Sequence, residues 1–368
     1  MSRVYNFSSG PAAINTEILK TIQNDMLDCM GSGMSILEMN HKSEFFGDIM
    51  DQTTALFREL MHIGSEYEVL YVNGGGYGQF SMVPLNLMVR HKKADYIDTD
   101  LWTKYAVIEA QKCGTVNVIA SSADSGYTYI PEIRSEMISS DADYLYMCTN
   151  NTASGSAYRP AKIPQSEHVP IVADMTSNFM SENYDINRFG LVFAAAQKNL
   201  GPAGITVVIA KKSLIELSDE HTIPRIMCYK EYAKTKSTFS TPSTFSVYMI
   251  MLVLKWVKQQ GGIAAMTQIN QQKAAMLYEF IDNSAFYRND VVLEDRSIMN
   301  VVFTTGQEQL DNAFSKEASN NGLCNLSGYQ GTGALRAGIY NGVGIDAVEA
   351  LVDFMKKFEK EHKGENHV

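Results

Sequence analysis

Short apolar runs alternate with stretches of helical periodicity through the first two thirds of the chain. The runs predict strands over 68–72, 94–97, 116–119, 144–148, 169–174, 193–196 and 205–210. Strands that alternate with helices predict an α/β fold, with a mostly parallel seven-stranded sheet flanked by helices. Functional residues then belong in the loops at the carboxyl ends of the strands. The rhythm changes after an apolar helix near 248–257. Gly261-Gly262 opens a new unit with a long helix over 264–281 and a strand over 299–303. A last helix over 346–359 carries Val348, Leu351, Val352, Met355 and Phe358 on one face. We therefore expect a large domain over 16–256 and a smaller C-terminal α/β domain built from 1–15 and 257–368.

Composition narrows the function classes. The chain has 368 residues, 45% of them hydrophobic, which is ample for a large core. Its formal net charge is -10 and no Lys/Arg block occurs, so neither nucleic acid nor an anionic membrane is an expected partner. The longest apolar run, 247–254, stops at Lys255 and is too short to span a bilayer. The first residues lack the apolar core of a signal peptide. Five cysteines without a CxxC pair predict reduced thiols in a cytoplasmic protein. The twenty methionines are scattered and read as core filler, and no metal site is expected.

The chemistry concentrates around one lysine. Phe193-Ala194-Ala195-Ala196-Gln197 delivers Lys198 into the turn Asn199-Leu200-Gly201-Pro202-Ala203-Gly204, and another apolar strand follows at once. An amine there is desolvated, which favours its neutral, nucleophilic form and suits condensation with an aldehyde. Upstream, another buried strand ends on the carboxylate of Asp174. Pyridoxal 5′-phosphate (PLP) needs this pair: a lysine for its aldehyde and a carboxylate that keeps its pyridine nitrogen protonated. Asn73-Gly74-Gly75-Gly76-Tyr77-Gly78 follows a strand and precedes a helix, so its backbone N–H groups can meet a phosphate. It has neither the dinucleotide GxGxxG spacing nor the Gly-Lys-Ser/Thr of a P-loop. Trp102 can stack on a pyridine ring, and Thr152 can bond a cofactor from its loop.

With these motifs on the page, the chain resembles the phosphoserine aminotransferase family, fold-type-I PLP-dependent transferases of the class V branch. The likeness runs from Asn6-Phe7-Ser8-Ser9-Gly10-Pro11 through Gln197-Lys198-Asn199-Leu200-Gly201-Pro202-Ala203-Gly204 and Ile269-Asn270-Gln271-Gln272-Lys273 to Ala337-Gly338-Ile339-Tyr340-Asn341. The resemblance implies that Lys198 binds the cofactor aldehyde, Asp174 pairs with the pyridine nitrogen and Trp102 stacks on the ring. It also implies cofactor contacts from Gly76, Tyr77, Thr152 and Gln197, with Ser240 and Thr241 reaching across a homodimer with a shared active site. Arg336 would clamp the α-carboxylate of the amino acid and of the 2-oxo acid.

The family pocket for the substrate's distal group is usually rich in Arg and His. Here His41 is followed by Lys42, the triple glycine by Tyr77, and the C-terminal pair is Tyr329-Gln330. Lys lacks the bidentate fork of Arg, and each lost charge-assisted bond costs about 1.5–3 kcal/mol. The expectation is an aminotransferase with specificity shifted away from phosphorylated substrates. The alternative is that Arg134 or Arg159 restores the charge and the chain acts on phosphoserine. A class V lyase such as a cysteine desulfurase would need a mobile cysteine, whereas Cys324 reads as the start of a short strand after a Gly turn.

Overall fold

The computed structural model describes residues 3–329 and 334–363. In chain order its elements are β1 (Tyr5–Asn6), α1 (Thr16–Asp25), α2 (Glu44–Met61), β2 (Tyr67–Asn73), α3 (Gly76–Leu87), β3 (Lys93–Asp98), α4 (Leu101–Ala110) and β4 (Thr115–Ser121). There follow β5 (Leu145–Cys148), β6 (Ile171–Asp174), β7 (Leu191–Ala195), β8 (Ile205–Lys211), α5 (Lys212–Ile215), α6 (Tyr229–Lys234) and α7 (Thr244–Gln259). The chain ends with α8 (Gly262–Asn283), β9 (Asn300–Phe303), α9 (Glu308–Asn320), β10 (Leu323–Cys324), β11 (Leu335–Gly338) and α10 (Ile345–His362).

Seven strands form one sheet in the order β2-β8-β7-β6-β5-β3-β4. Only β8 runs antiparallel to its neighbours in that sheet. The central strands β5, β6 and β7 are buried at every position, because helices cover both faces. Their sequences are accordingly continuous apolar runs rather than alternating ones. β9 and β11 pair antiparallel, and β1 pairs parallel with β10. One apolar cluster joins α1, α2 and α7 to one face of the large sheet, and a second joins Phe7 and Ala12 to residues from Ala274 to Phe358. A third, including Phe80, Tyr96, Tyr146 and Phe193, fills the other face. Among the described residues no helix is long and apolar enough to cross a membrane, and no cluster of side chains could hold a metal ion.

Candidate active site

Register brings the carboxyl ends of three strands within two residues of one level. Cys148 of β5 aligns with Asp174 of β6, and Asp174 aligns with Phe193 of β7. The turns after these strands therefore open on the same edge of the sheet. Lys198, in the turn after β7, donates from Nζ to Thr152 Oγ1 at 2.6 Å, in the turn after β5. Asp174 is 6% exposed, and its Oδ1 accepts the Thr176 N–H at 2.8 Å. Burial raises its pKa above the ordinary aspartate value, against the pull of the Thr176 hydrogen bonds and the Lys198 charge.

At the other wall, β2 runs into Gly74, whose φ of 107 requires glycine and whose N–H donates to the Gly204 carbonyl at 2.9 Å. That bond ties the glycine turn to the end of the Lys198 loop. α3 begins two residues later, so the N–H groups near Gly76 are left without helical acceptors. Trp102 stands in the first turn of α4, after β3.

Gly76, Tyr77, Trp102, Thr152, Asp174, Gln197 and Lys198 line a single cavity of about 180 Å³. Arg336, buried on β11, approaches from the C-terminal unit, and its Nη1 donates to the Thr152 carbonyl at 3.1 Å. Tyr77 is 57% exposed at the rim. Its ring meets Trp102 edge-on at 5.8 Å, and Trp102 meets Tyr329 edge-on at the same separation. The Arg336 guanidinium lies 5.7 Å from the Tyr329 ring centre.

Other expected residues lie elsewhere in the chain. His41 and Lys42 sit just before α2 and do not line the cavity. Ser240 and Thr241 lie beside the end of β2, where Asn73 Nδ2 reaches Ser240 Oγ at 3.5 Å and the Thr241 carbonyl at 3.1 Å. Gln330 falls outside the described residues. Neither candidate compensating arginine lines the cavity. Arg159 bonds the Arg296 carbonyl and faces Glu182, while Arg134 faces Glu136 at the surface.

The cavity also takes Asn150, Thr176 and Ser177, which sequence reasoning passed over. The hydroxyls of Thr176 and Ser177 directly follow the strand-end Asp174, and that adjacency was the available signal. The Tyr340 ring, 6.0 Å from Lys198 Nζ, and the buried Asp100 were also missed.

The family model of class-V aminotransferases matches residues 4–351. A phosphoserine aminotransferase of Bacillus cereus is 45% identical over 363 residues, covering 99% of this chain and 100% of the relative. The solved phosphoserine aminotransferase of Bacillus circulans subsp. alkalophilus superposes with a TM-score of 0.94 at 38% identity, covering 98% of this chain and 99% of the other. A PLP-bound phosphoserine aminotransferase from Trichomonas vaginalis superposes with a TM-score of 0.90 at 33% identity, covering 96% and 100%. The chain belongs to the phosphoserine aminotransferase family. Membership makes it a PLP-dependent aminotransferase of fold type I.

The cavity fits that cofactor. Asp174 offers a buried carboxylate that gains from a protonated ring nitrogen beside it. Trp102 bounds the space with a buried Nε1 that has no hydrogen-bond partner. The start of α3 presents free N–H groups for a phosphate, and Gly74, Gly75 and Gly78 each have open space where a Cβ would project. Lys198 supplies the amine.

Proposed function

We propose that this protein moves an amino group between glutamate and 3-phosphohydroxypyruvate, giving O-phosphoserine and 2-oxoglutarate. The end-to-end identity of 45% with enzymes named for phosphoserine carries the reading. It favours a phosphorylated substrate over a specificity shifted away from one, despite Lys42, Tyr77 and Tyr329. A lyase reading finds no support, since Cys324 is held in β10 beside Asn6 and does not line the cavity.

Bound PLP supplies the electron sink that acidifies the substrate Cα–H. Lys198 Nζ, oriented by Thr152 Oγ1, would take the proton from Cα of the donor amino acid and, in the return half-reaction, give a proton to Cα of the product amino acid. Asp174 would hold the proton on the ring nitrogen, Trp102 and Gln197 would hold the ring, and the N–H groups of Gly76 and Tyr77 would bind the phosphate. Arg336 would clamp the substrate α-carboxylate.

Among the described residues that line the cavity Lys198 is the one cation, with Arg336 behind the Thr152 carbonyl. A substrate phosphate therefore needs cations from elsewhere, and His41 and Lys42 of a second copy are the candidates, with Ser240 and Thr241 on the cofactor phosphate. Exposed apolar side chains at Leu27, Met30, Met34 and Leu37, just before His41, support a homodimer face. The proposed division is a large unit over 16–256 and a small one over 1–15 and 257–368, although Val257, Ile263 and Met266 pack with the large sheet's cluster.

The test is steady-state turnover of O-phosphoserine with 2-oxoglutarate. The reading requires kcat/KM of about 10⁴ M⁻¹s⁻¹ or more, within the ordinary enzyme range. Serine and alanine should fall at least about a hundredfold below it, the worth of two charge-assisted bonds. Equal turnover of serine and phosphoserine would refute it.

A further inference from the structure

Thr152 is a meeting point. Its hydroxyl takes the Lys198 amine and its carbonyl takes the Arg336 guanidinium. What holds Thr152 in place is therefore a determinant of the site. The next residue, Ala153, donates its N–H to Asp100 Oδ2 at 3.0 Å. Asp100 is 1% exposed and caps the start of α4, where Trp102 is the second residue. Its own N–H donates to Thr103 Oγ1 at 3.0 Å, which fixes the residue against the helix. Beside it, Thr99 Oγ1 bonds Asn151 Oδ1 at 3.0 Å, a second tie between the same two segments.

We propose that Asp100 is a positioning residue of the active site, whose carboxylate locks the helix start bearing Trp102 to the turn bearing Thr152 and so fixes where Lys198 and Arg336 converge. The inference rests on the aminotransferase reading of the site but not on the identity of the amino acid. Both walls of the cavity then share this carboxylate, backed by the Thr99–Asn151 bond. Loss of the carboxylate leaves that bond to hold the turn and loosens Trp102, Lys198 and Arg336 together.

The charge of Asp100 adds a second effect. The titratable groups around it are Lys198 and Arg336 across the turn, the neutral Cys148 thiol from β5, and Lys104 and Asp98 on its own segment. Burial, opposed by the Ala153 and Leu101 N–H groups and by the Lys198 and Arg336 charges, pushes the Asp100 carboxyl up to about 6. Above that pH its negative charge opposes a carboxylate arriving at Arg336, and below it the opposition is gone.

The experiment compares Asp100→Ala with Asp100→Asn. The readouts are the dissociation constant for PLP added to the cofactor-free protein, KM and kcat for glutamate between pH 5.5 and 8, and urea unfolding. Asp100→Ala should weaken PLP binding about tenfold and raise KM about tenfold, the worth of a hydrogen bond to a charged group. Asp100→Asn keeps an acceptor for Ala153. It should bind PLP within about twofold of wild type and lose the wild-type rise of KM as pH increases through about 6. The proposal is overturned if Asp100→Ala leaves PLP binding and KM unchanged. It is also overturned if the alanine variant only lowers the urea midpoint, as a purely structural cap would. PLP binding needs no substrate, so a wrong assignment of the amino acid leaves this arm intact.

Discussion

Lys273 offers a perturbation whose size follows from the structure. It lies on α8, fully buried, and its Nζ donates to the carbonyls of Ile339 at 2.9 Å, Tyr340 at 2.8 Å and Val343 at 3.0 Å. Burial pushes the amine down to about 7, yet three carbonyl acceptors call for three N–H donors, which only the ammonium form has. Lys273→Met keeps the length and the packing and removes every donor. The Tyr340 carbonyl keeps the Val343 N–H at 2.9 Å, so the Ile339 and Val343 carbonyls are the two left unpaired, and at about 1–3 kcal/mol each they set a ceiling of about 2–6 kcal/mol. Relief from burying the amine offsets part of that, leaving a net loss of about 2–4 kcal/mol. Urea unfolding should show it as a lower midpoint at unchanged slope. The same segment carries Tyr340, near Lys198, and Asn341, whose N–H donates to Asn199 Oδ1 at 3.0 Å. Turnover should therefore fall with stability. A loss below about 1 kcal/mol, the worth of a single neutral hydrogen bond, would refute the reasoning.

Two further outcomes follow from the site. Asp174 binds its proton more tightly folded than unfolded, so its contribution to stability is full below the ordinary aspartate pKa and is lost as pH rises through the raised value. Asp174→Asn should thus raise the melting temperature of the cofactor-free chain at pH 7, lose that advantage below about pH 4, and bind PLP more weakly. An unchanged melting difference between the two pH values would remove the buried charge from the account. Arg336→Lys keeps a donor for the Thr152 carbonyl but loses the fork, and kcat/KM for glutamate should drop about 10- to 150-fold, read by initial rates.

The strands that position Lys198 and Asp174 were legible because buried parallel strands must be apolar at every position. The same feature hid direction: β8 is as apolar as its neighbours, and nothing in its pattern marks it as antiparallel. β11 went unseen because Arg336 interrupts a strand of only four residues, and its burial depends on β9 and on the Thr152 turn. α9 is amphipathic but mostly polar, with apolar contacts at widely spaced positions such as Leu310 and Phe314. Asp100 precedes an apolar helix and reads as an ordinary cap, since only the fold brings Ala153 to it. For His41, Lys42, Ser240 and Thr241 the family resemblance gave roles that a single chain does not bring into the cavity.

The most direct test is a single turnover. The PLP-loaded protein is mixed with O-phosphoserine in the absence of any oxo acid, and the products are counted per site. The account predicts one equivalent of 3-phosphohydroxypyruvate, retention of the amino group on the protein-bound cofactor, and its release to 2-oxoglutarate added later. Lys198→Ala should bind PLP and yield no product. Free ammonia, pyruvate or inorganic phosphate in place of the phosphorylated oxo acid, or full product from Lys198→Ala, would contradict it.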